Sequence, residues 1–177
     1  MGVKEATIVH KYAYQFVENI AYRDDIWSIY DEIHRIASII DETKLNRILS
    51  SPTVSNEDKT VFVRNLRQSE YRFINDLIET IIQDENFDLL LSTLEDILLK
   101  ISKSKNEYDM VLTSFQPLTE EQKERLTAIV EERFSVKVHH IIEEIDKELL
   151  GGFIVNVNHR VIDTSVRAQL GDIRKKL

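Results

Sequence analysis

Over the first hundred positions apolar residues recur at steps of three and four, the spacing of helices that bury one face. In the first stretch Ala6, Val9, Ala13, Phe16, Val17 and Ile20 keep this step, while Lys4, Lys11, Glu18 and Asn19 fall on the opposite, wet side. Asp24 and Asp25 supply a cap and favourable charge for a second helix with the stripe Ile26, Trp27, Tyr30, Ile33, Ala37 and Ile40. A short third helix around Leu45, Ile48 and Leu49 stops at "SSPTVSNEDK", where Ser55 or Asn56 can cap a fourth carrying Val61, Phe62 and Leu66. The fifth helix holds Tyr71, Phe73, Ile74, Leu77, Ile78, Ile81 and Ile82, an apolar surface wider than one core contact uses. The sixth carries Phe87, Leu90, Leu91, Leu94, Ile97, Leu98 and Ile101 and dissolves into the polar "SKSKNE" at 102–107, the strongest boundary signal in the chain. Residues 1–105 therefore read as an N-terminal six-helix bundle.

After that boundary the apolar period drops to alternation. Tyr108, Met110 and Leu112 alternate with Asp109, Val111 and Thr113 as a strand, and Pro117 stops it. "LTEEQ" contains a capping box, Thr119 with Gln122, opening a helix with Leu126, Ile129, Val130 and Phe134 inward. A second strand begins at Val136 and Val138, and its phase slips at His139-His140, which predicts a bulge. Phe153, Val155 and Val157 form a third strand, Asn158-His159 a two-residue turn, and Arg160 to Ile162 a fourth. Asp163 or Thr164 caps a last helix carrying Val166, Leu170, Ile173 and Leu177. The expected fold is mainly α with a small α+β part, the 106–177 segment having the order β-α-β-β-β-α.

Gly151 and Gly152, two of the chain's 4 glycines, stand directly before the third strand. A phosphate-cradling loop leads from a strand through glycines into a helix N-terminus, whereas this pair leads into a strand with no basic residue nearby. The pair reads instead as backbone architecture: Gly151 or Gly152 takes positive φ or allows two chain segments to approach closely.

Composition narrows the classes of function. With 31 acidic against 23 basic residues and a formal net charge of -8, the chain lacks the basic surface of a nucleic-acid binder. Tyr12, Tyr14, Tyr22, Tyr30, Tyr71 and Trp27 lie at helical spacing among acidic neighbours, which suits a core or a protein interface better than base stacking. Cysteine is absent, so there is no disulfide, thiolate nucleophile or cysteine zinc site. The opening "MGVKEATIVHKYAYQF" is too polar for a signal peptide, and no apolar run approaches the roughly 18 residues of a membrane span. Membrane association is expected only through partners.

No catalytic constellation emerges. The five histidines, His10, His34, His139, His140 and His159, show no metal-ligand spacing, and adjacent His139 and His140 should point to opposite faces of a strand. Carboxylate pairs such as Asp24-Asp25 and Glu143-Glu144 fall at caps or polar faces, and no serine sits in a nucleophile elbow. We expect no catalytic residues, no metal and no cofactor.

One family shares these features. "DKELLGGFIVNVNHRVIDTSVRAQL" resembles the C-terminal pattern of the delta subunit of F-type ATP synthase, the family that includes the oligomycin-sensitivity-conferring protein. "IVHKYAYQFVENIA" is similar to its opening A-x-x-YA helix, "ILSSPTVSNEDK" to its L-x-x-P followed by lysine, and "PLTEEQ" recurs before the C-terminal helix. The likeness covers the whole chain, with Thr164 standing where the family usually has glycine.

The resemblance implies a non-catalytic stator subunit, peripheral on the cytoplasmic face of a bacterial cell membrane. It would tie the alpha/beta catalytic head to the peripheral stalk so that rotor torque drives ATP synthesis. The bundle would receive the amphipathic N-terminal helix of an alpha subunit between its first and fifth helices, and the 106–177 domain would dock the C-terminal end of the b subunit. Tyr12, Ala13 and Phe16 on the first helix and Phe73, Leu77, Ile78 and Ile81 on the fifth are the expected partner-binding residues; each can equally serve the core. Gly151, Gly152, Asp163 and Thr164 are the expected structural positions. Other classes consistent with parts of the pattern are a helical RNA-binding adaptor, which would want a basic stripe, and a ferredoxin-like small-molecule sensor. The sensor would want a glycine at the first strand-to-helix turn, where this chain has Phe115-Gln116-Pro117.

Overall fold

A computed structural model of the chain describes residues 2–66 and 69–166. The chain divides into two compact units, Met1–Ile101 and Ser102–Leu177.

The first unit is built from α1 (Val3–Ile20), α2 (Ile26–Glu42), α3 (Leu45–Leu49), α4 (Asn56–Leu66), α5 (Arg72–Gln83), a 3-10 turn at Phe87–Leu89, and most of α6 (Leu90–Lys105). The apolar stripes meet in one core that includes Phe16, Ile29, Ile33, Ile40, Ile78, Ile81, Leu94 and Ile97. Ser55 is the residue that caps α4: its hydroxyl accepts from the Asp58 N–H at 3.1 Å, filling an orphan donor of the first turn. Asp25 stands at the start of α2, but its carboxylate makes no capping bond, because the Arg23 guanidinium holds it bidentately at 2.7 and 2.8 Å. The wide apolar arc of α5 is mostly internal: the helix packs against both α1 and α4, so Ile74, Ile78 and Ile81 are fully buried.

The polar stretch read as a break is helical. α6 continues to Lys105, and Asn106 alone, at φ 52, turns the chain into β1 (Glu107–Ser114). Ser102 is buried, so the inward face persists past Ile101, while Lys103 and Lys105 are good helix formers placed where the helix C-terminus favours cations. Polarity there marks one solvated helix face, not a loop.

The second unit continues with α7 (Glu120–Phe134), β2 (Lys137–Ile145), a 3-10 turn at Lys147–Leu149, β3 (Phe153–Val157) and β4 (Arg160–Asp163). The sheet order is β2-β1-β3-β4, with β2 parallel to β1 and the β1–β3 and β3–β4 pairs antiparallel. α7 is the crossover that a parallel pair requires. Its capping box forms, Thr119 Oγ1 accepting from Gln122 N–H at 3.3 Å and Gln122 Oε1 from Thr119 N–H at 2.9 Å. Its inward row is Leu126, Val130 and Phe134; Ile129, expected inside, is 52% exposed because it lies off that four-residue step. The expected bulge is present: between the pairs Tyr108↔Val138 and Met110↔Ile141, β2 advances one residue more than β1. Asn158 and His159 both have positive φ, 48 and 61, as a type I′ hairpin turn demands. Met110, Leu112, Val130, Val155 and Val157 form the core of this unit. The last helix expected after Asp163 lies, from residue 167 on, outside the described residues.

Candidate functional site

α1 and α5 together form a groove. Along α1 its wall is Tyr12, Gln15, Phe16 and Asn19, and along α5 it is Phe73, Asp76, Leu77 and Thr80, enclosing about 190 Å³. Each wall follows the same i, i+3, i+4, i+7 pattern, one continuous edge of a helix. The floor is apolar, from Phe16, Phe73 and Leu77, and the rims carry amide, hydroxyl and carboxylate groups.

Both ends of the groove are held by side-chain contacts. At one end the Tyr12 hydroxyl donates to Asp84 Oδ2 at 2.5 Å and accepts from Asn86 Nδ2 at 2.8 Å. Asp84 and Asn86 belong to the turn that closes α5, where Glu85 has φ 55 and the Asn86 N–H returns to the Ile81 carbonyl at 3.1 Å. Burial, and then the bond to the Asp84 carboxylate, raise the Tyr12 pKa above the usual phenol range and keep the hydroxyl a donor. At the other end the Arg23 guanidinium lies 5.1 Å from the centre of the Phe73 ring.

The seven expected partner-binding residues separate into two groups. Tyr12, Phe16, Phe73 and Leu77 line the groove. Ala13, Ile78 and Ile81 are 0% exposed and lie in the core beneath it, where a partner cannot touch them. The helical period places Ala13 beside Tyr12 and Ile78 beside Leu77 but about 100° further round, enough to turn a groove residue into a core one. Sequence reasoning missed Gln15, Asn19, Asp76 and Thr80, because polar residues at the margin of an apolar stripe look like ordinary solvated surface. Their signal is the shared i+3 and i+7 spacing from Tyr12 and from Phe73.

In the second unit the glycine pair does not face a helix N-terminus. Gly151 has φ 123 and Gly152 φ 79, both in the region that side chains avoid. A Cβ on Gly152 would lie 2.4 Å from the Thr164 carbonyl oxygen, so this glycine permits the segment before β3 to cross the end of β4. Thr164 locks that crossing: its N–H and hydroxyl both donate to the Phe153 carbonyl, at 2.9 and 3.0 Å, and its Oγ1 accepts from Phe153 N–H at 3.2 Å. A glycine at this position would lack the two hydroxyl bonds. Asp163 Oδ1 accepts from Ser165 N–H at 2.9 Å, and hydrogen bonding from the Ser165 side chain first, with that N–H second, holds its carboxyl below the usual carboxylate range.

Two further expectations meet the structure here. The imidazole rings of His139 and His140 do not diverge but lie 4.0 Å apart, because the bulge breaks the strand's alternation at that pair. The β1–α7 loop, which has no glycine, is pinned by Glu143, whose carboxylate accepts from Leu118 N–H at 2.9 Å and pairs with Lys123 at 3.2 Å. The Leu118 bond first, and Lys123 second, lower its pKa. Among the described residues no helix is long and apolar enough to cross a membrane.

Residues 8–177 match the ATP synthase delta (OSCP) subunit family. Over all 177 residues the chain is 38% identical to the ATP synthase subunit delta of Streptococcus equinus, covering 99% of that relative. It is 34% identical to that of Streptococcus mutans over the same span, again with 99% of the relative covered. A chain in the cryo-EM structure of the Toxoplasma gondii mitochondrial ATP synthase hexamer superposes with a TM-score of 0.66, covering 95% of this chain and 96% of its own, at 15% identity. That last likeness is one of fold alone, but the two relatives match over all 177 residues and the family over residues 8–177, and on them the chain belongs to the ATP synthase delta (OSCP) subunit family.

Proposed function

We propose that this non-catalytic subunit is the stator link of an F-type ATP synthase, joining the alpha/beta head to the peripheral stalk against rotor torque. The observation that carries the reading is the match to delta subunits over all 177 residues. A link needs two attachment surfaces, and each unit offers one.

On the first unit the α1–α5 groove takes the amphipathic N-terminal helix of an alpha subunit. Its apolar floor and polar rims suit a helix with one apolar stripe, the helix-in-groove mode of recognition. The working contacts are Tyr12, Phe16, Phe73 and Leu77 with the rim residues Gln15, Asn19, Asp76 and Thr80. On the second unit the sheet face opposite the Met110–Val155 core carries the cross-strand row Ile142 (37% exposed), Val111, Asn156 and Val161 (57% exposed), and there the C-terminal end of the b subunit docks. Attachment to the cytoplasmic face of the membrane follows through these partners. No observation favours an RNA-binding adaptor or a small-molecule sensor.

The groove assignment is tested with a synthetic peptide of the alpha N-terminal helix titrated onto the full chain. Saturable binding is expected, weakened about tenfold or more by Thr80→Trp, which fills the groove from an exposed rim position and leaves the core untouched. Equal affinity for the Thr80→Trp chain would remove the groove from the account.

A further inference from the structure

The groove reading leaves one feature unexplained: why a groove floored by aromatic residues ends in a three-membered hydrogen-bond cluster. Tyr12 is 6% exposed, yet its hydroxyl reaches out of the core to Asp84, an exposed residue that water could solvate equally well. Burial of Asp84 therefore does not account for the bond. Asn86 completes the hydroxyl's partners from the same turn. That turn is closed by two backbone bonds, the Glu85 N–H to the Ile82 carbonyl and the Asn86 N–H to the Ile81 carbonyl, both 3.1 Å. Tyr12 thus ties α1 to the fixed end of α5, while Arg23, itself held by Asp25, ties the far end of α1 to Phe73.

We infer that Tyr12, acting through Asp84 and Asn86, is a positioning residue that fixes the spacing of α1 and α5, so that the groove stands ready for a helix before one arrives. The inference rests on the proposed docking of the alpha helix and adds how that site is prepared. Two helices joined only by apolar contacts can slide and tilt; a hydrogen bond to a carboxylate has a required length and direction. When the bond is lost, the fraction of molecules with a correctly spaced groove falls, and apparent affinity falls in proportion. The loss then appears in the association rate, because a molecule that has docked its helix is the same in both proteins. A hydroxyl that instead touched the partner directly would slow release, and its removal would raise the dissociation rate.

The test is stopped-flow binding of the synthetic alpha N-terminal peptide to the full chain, native and Tyr12→Phe, with Asn86→Ala as a second variant that leaves the ring and its burial intact. Tyr12→Phe is expected to lower the association rate about tenfold, the scale of a hydrogen bond to a charged acceptor, with dissociation within about twofold of native. Asn86→Ala is expected to lower association by a smaller factor, and Asp84→Asn, which keeps an acceptor oxygen but loses its charge, to lower it less than Tyr12→Phe does. Unchanged rates in Tyr12→Phe and Asn86→Ala overturn the inference while leaving the groove as a docking site. A change confined to the dissociation rate overturns it in favour of direct contact. Failure of the native chain to bind the peptide removes both the inference and the docking reading beneath it.

Discussion

An Ile78→Ala chain is predicted to unfold with about 2–5 kcal/mol less free energy than the native chain, while still binding the alpha peptide below its unfolding transition with affinity within about twofold. Ile78 is 0% exposed in the core of the first unit, so truncation leaves a cavity among packed neighbours that can only partly close on it. The lost burial and the residual void both act against the folded state. The expectation separates residues that adjoin in sequence: Leu77 meets the groove and Ile78 the core. Denaturant titration with a parallel binding measurement checks it. A variant of native stability that had lost the peptide would return Ile78 to the partner surface.

Gly152→Ala is predicted to cost about 2–4 kcal/mol, combining an unfavourable φ with a backbone collision. The added Cβ would fall 2.4 Å from Thr164 O, 2.8 Å from Ser165 Cα and 2.9 Å from Thr164 C, all main-chain atoms with no rotamer to escape into. Relief requires moving the 164–165 segment, which breaks the bonds between Thr164 and Phe153. Gly151→Ala is the control. Its φ of 123 is also unfavourable, but the new Cβ would meet Val166 Cγ2 at 3.5 Å, ordinary contact. Hydrogen exchange of the β3 and β4 amides in the full chain should show more loss of protection in Gly152→Ala than in Gly151→Ala. Equal losses would mean that the crossing at Thr164 tolerates a side chain.

Periodicity made the elements legible wherever one residue type dominates the local energy. The step of three and four placed α1, α2 and α5, the Thr119–Gln122 box placed the start of α7, and Asn158-His159 placed the hairpin turn, because left-handed backbone at both positions suits few residues. Polarity misled where it described only one face of an element. The serines and lysines of 102–105 extend α6, and Ile129 faces water on a helix whose burial follows a different row. The α1–α5 groove was half legible. Its apolar floor stands out as surplus hydrophobic surface on α5, but its depth does not. A pattern in one dimension gives the angle of a residue around its helix and not the number of neighbours packed there, so Ile78 and Ile81 looked like groove although both are fully buried in the core. The Tyr12 cluster joins positions more than seventy residues apart, and no local spacing encodes such a pair.

The central claim is that this chain transmits no chemistry and only restrains. Its most direct test is coupled ATP synthesis in inverted membrane vesicles from the source organism lacking the chain, measured before and after the purified full-length protein is added back. Without the chain, a head that still hydrolyses ATP is expected to be uncoupled from proton movement; with it, synthesis driven by a proton gradient returns, and the Thr80→Trp protein restores less at the same concentration. Coupled synthesis at the native rate in vesicles that never receive the chain would contradict the account.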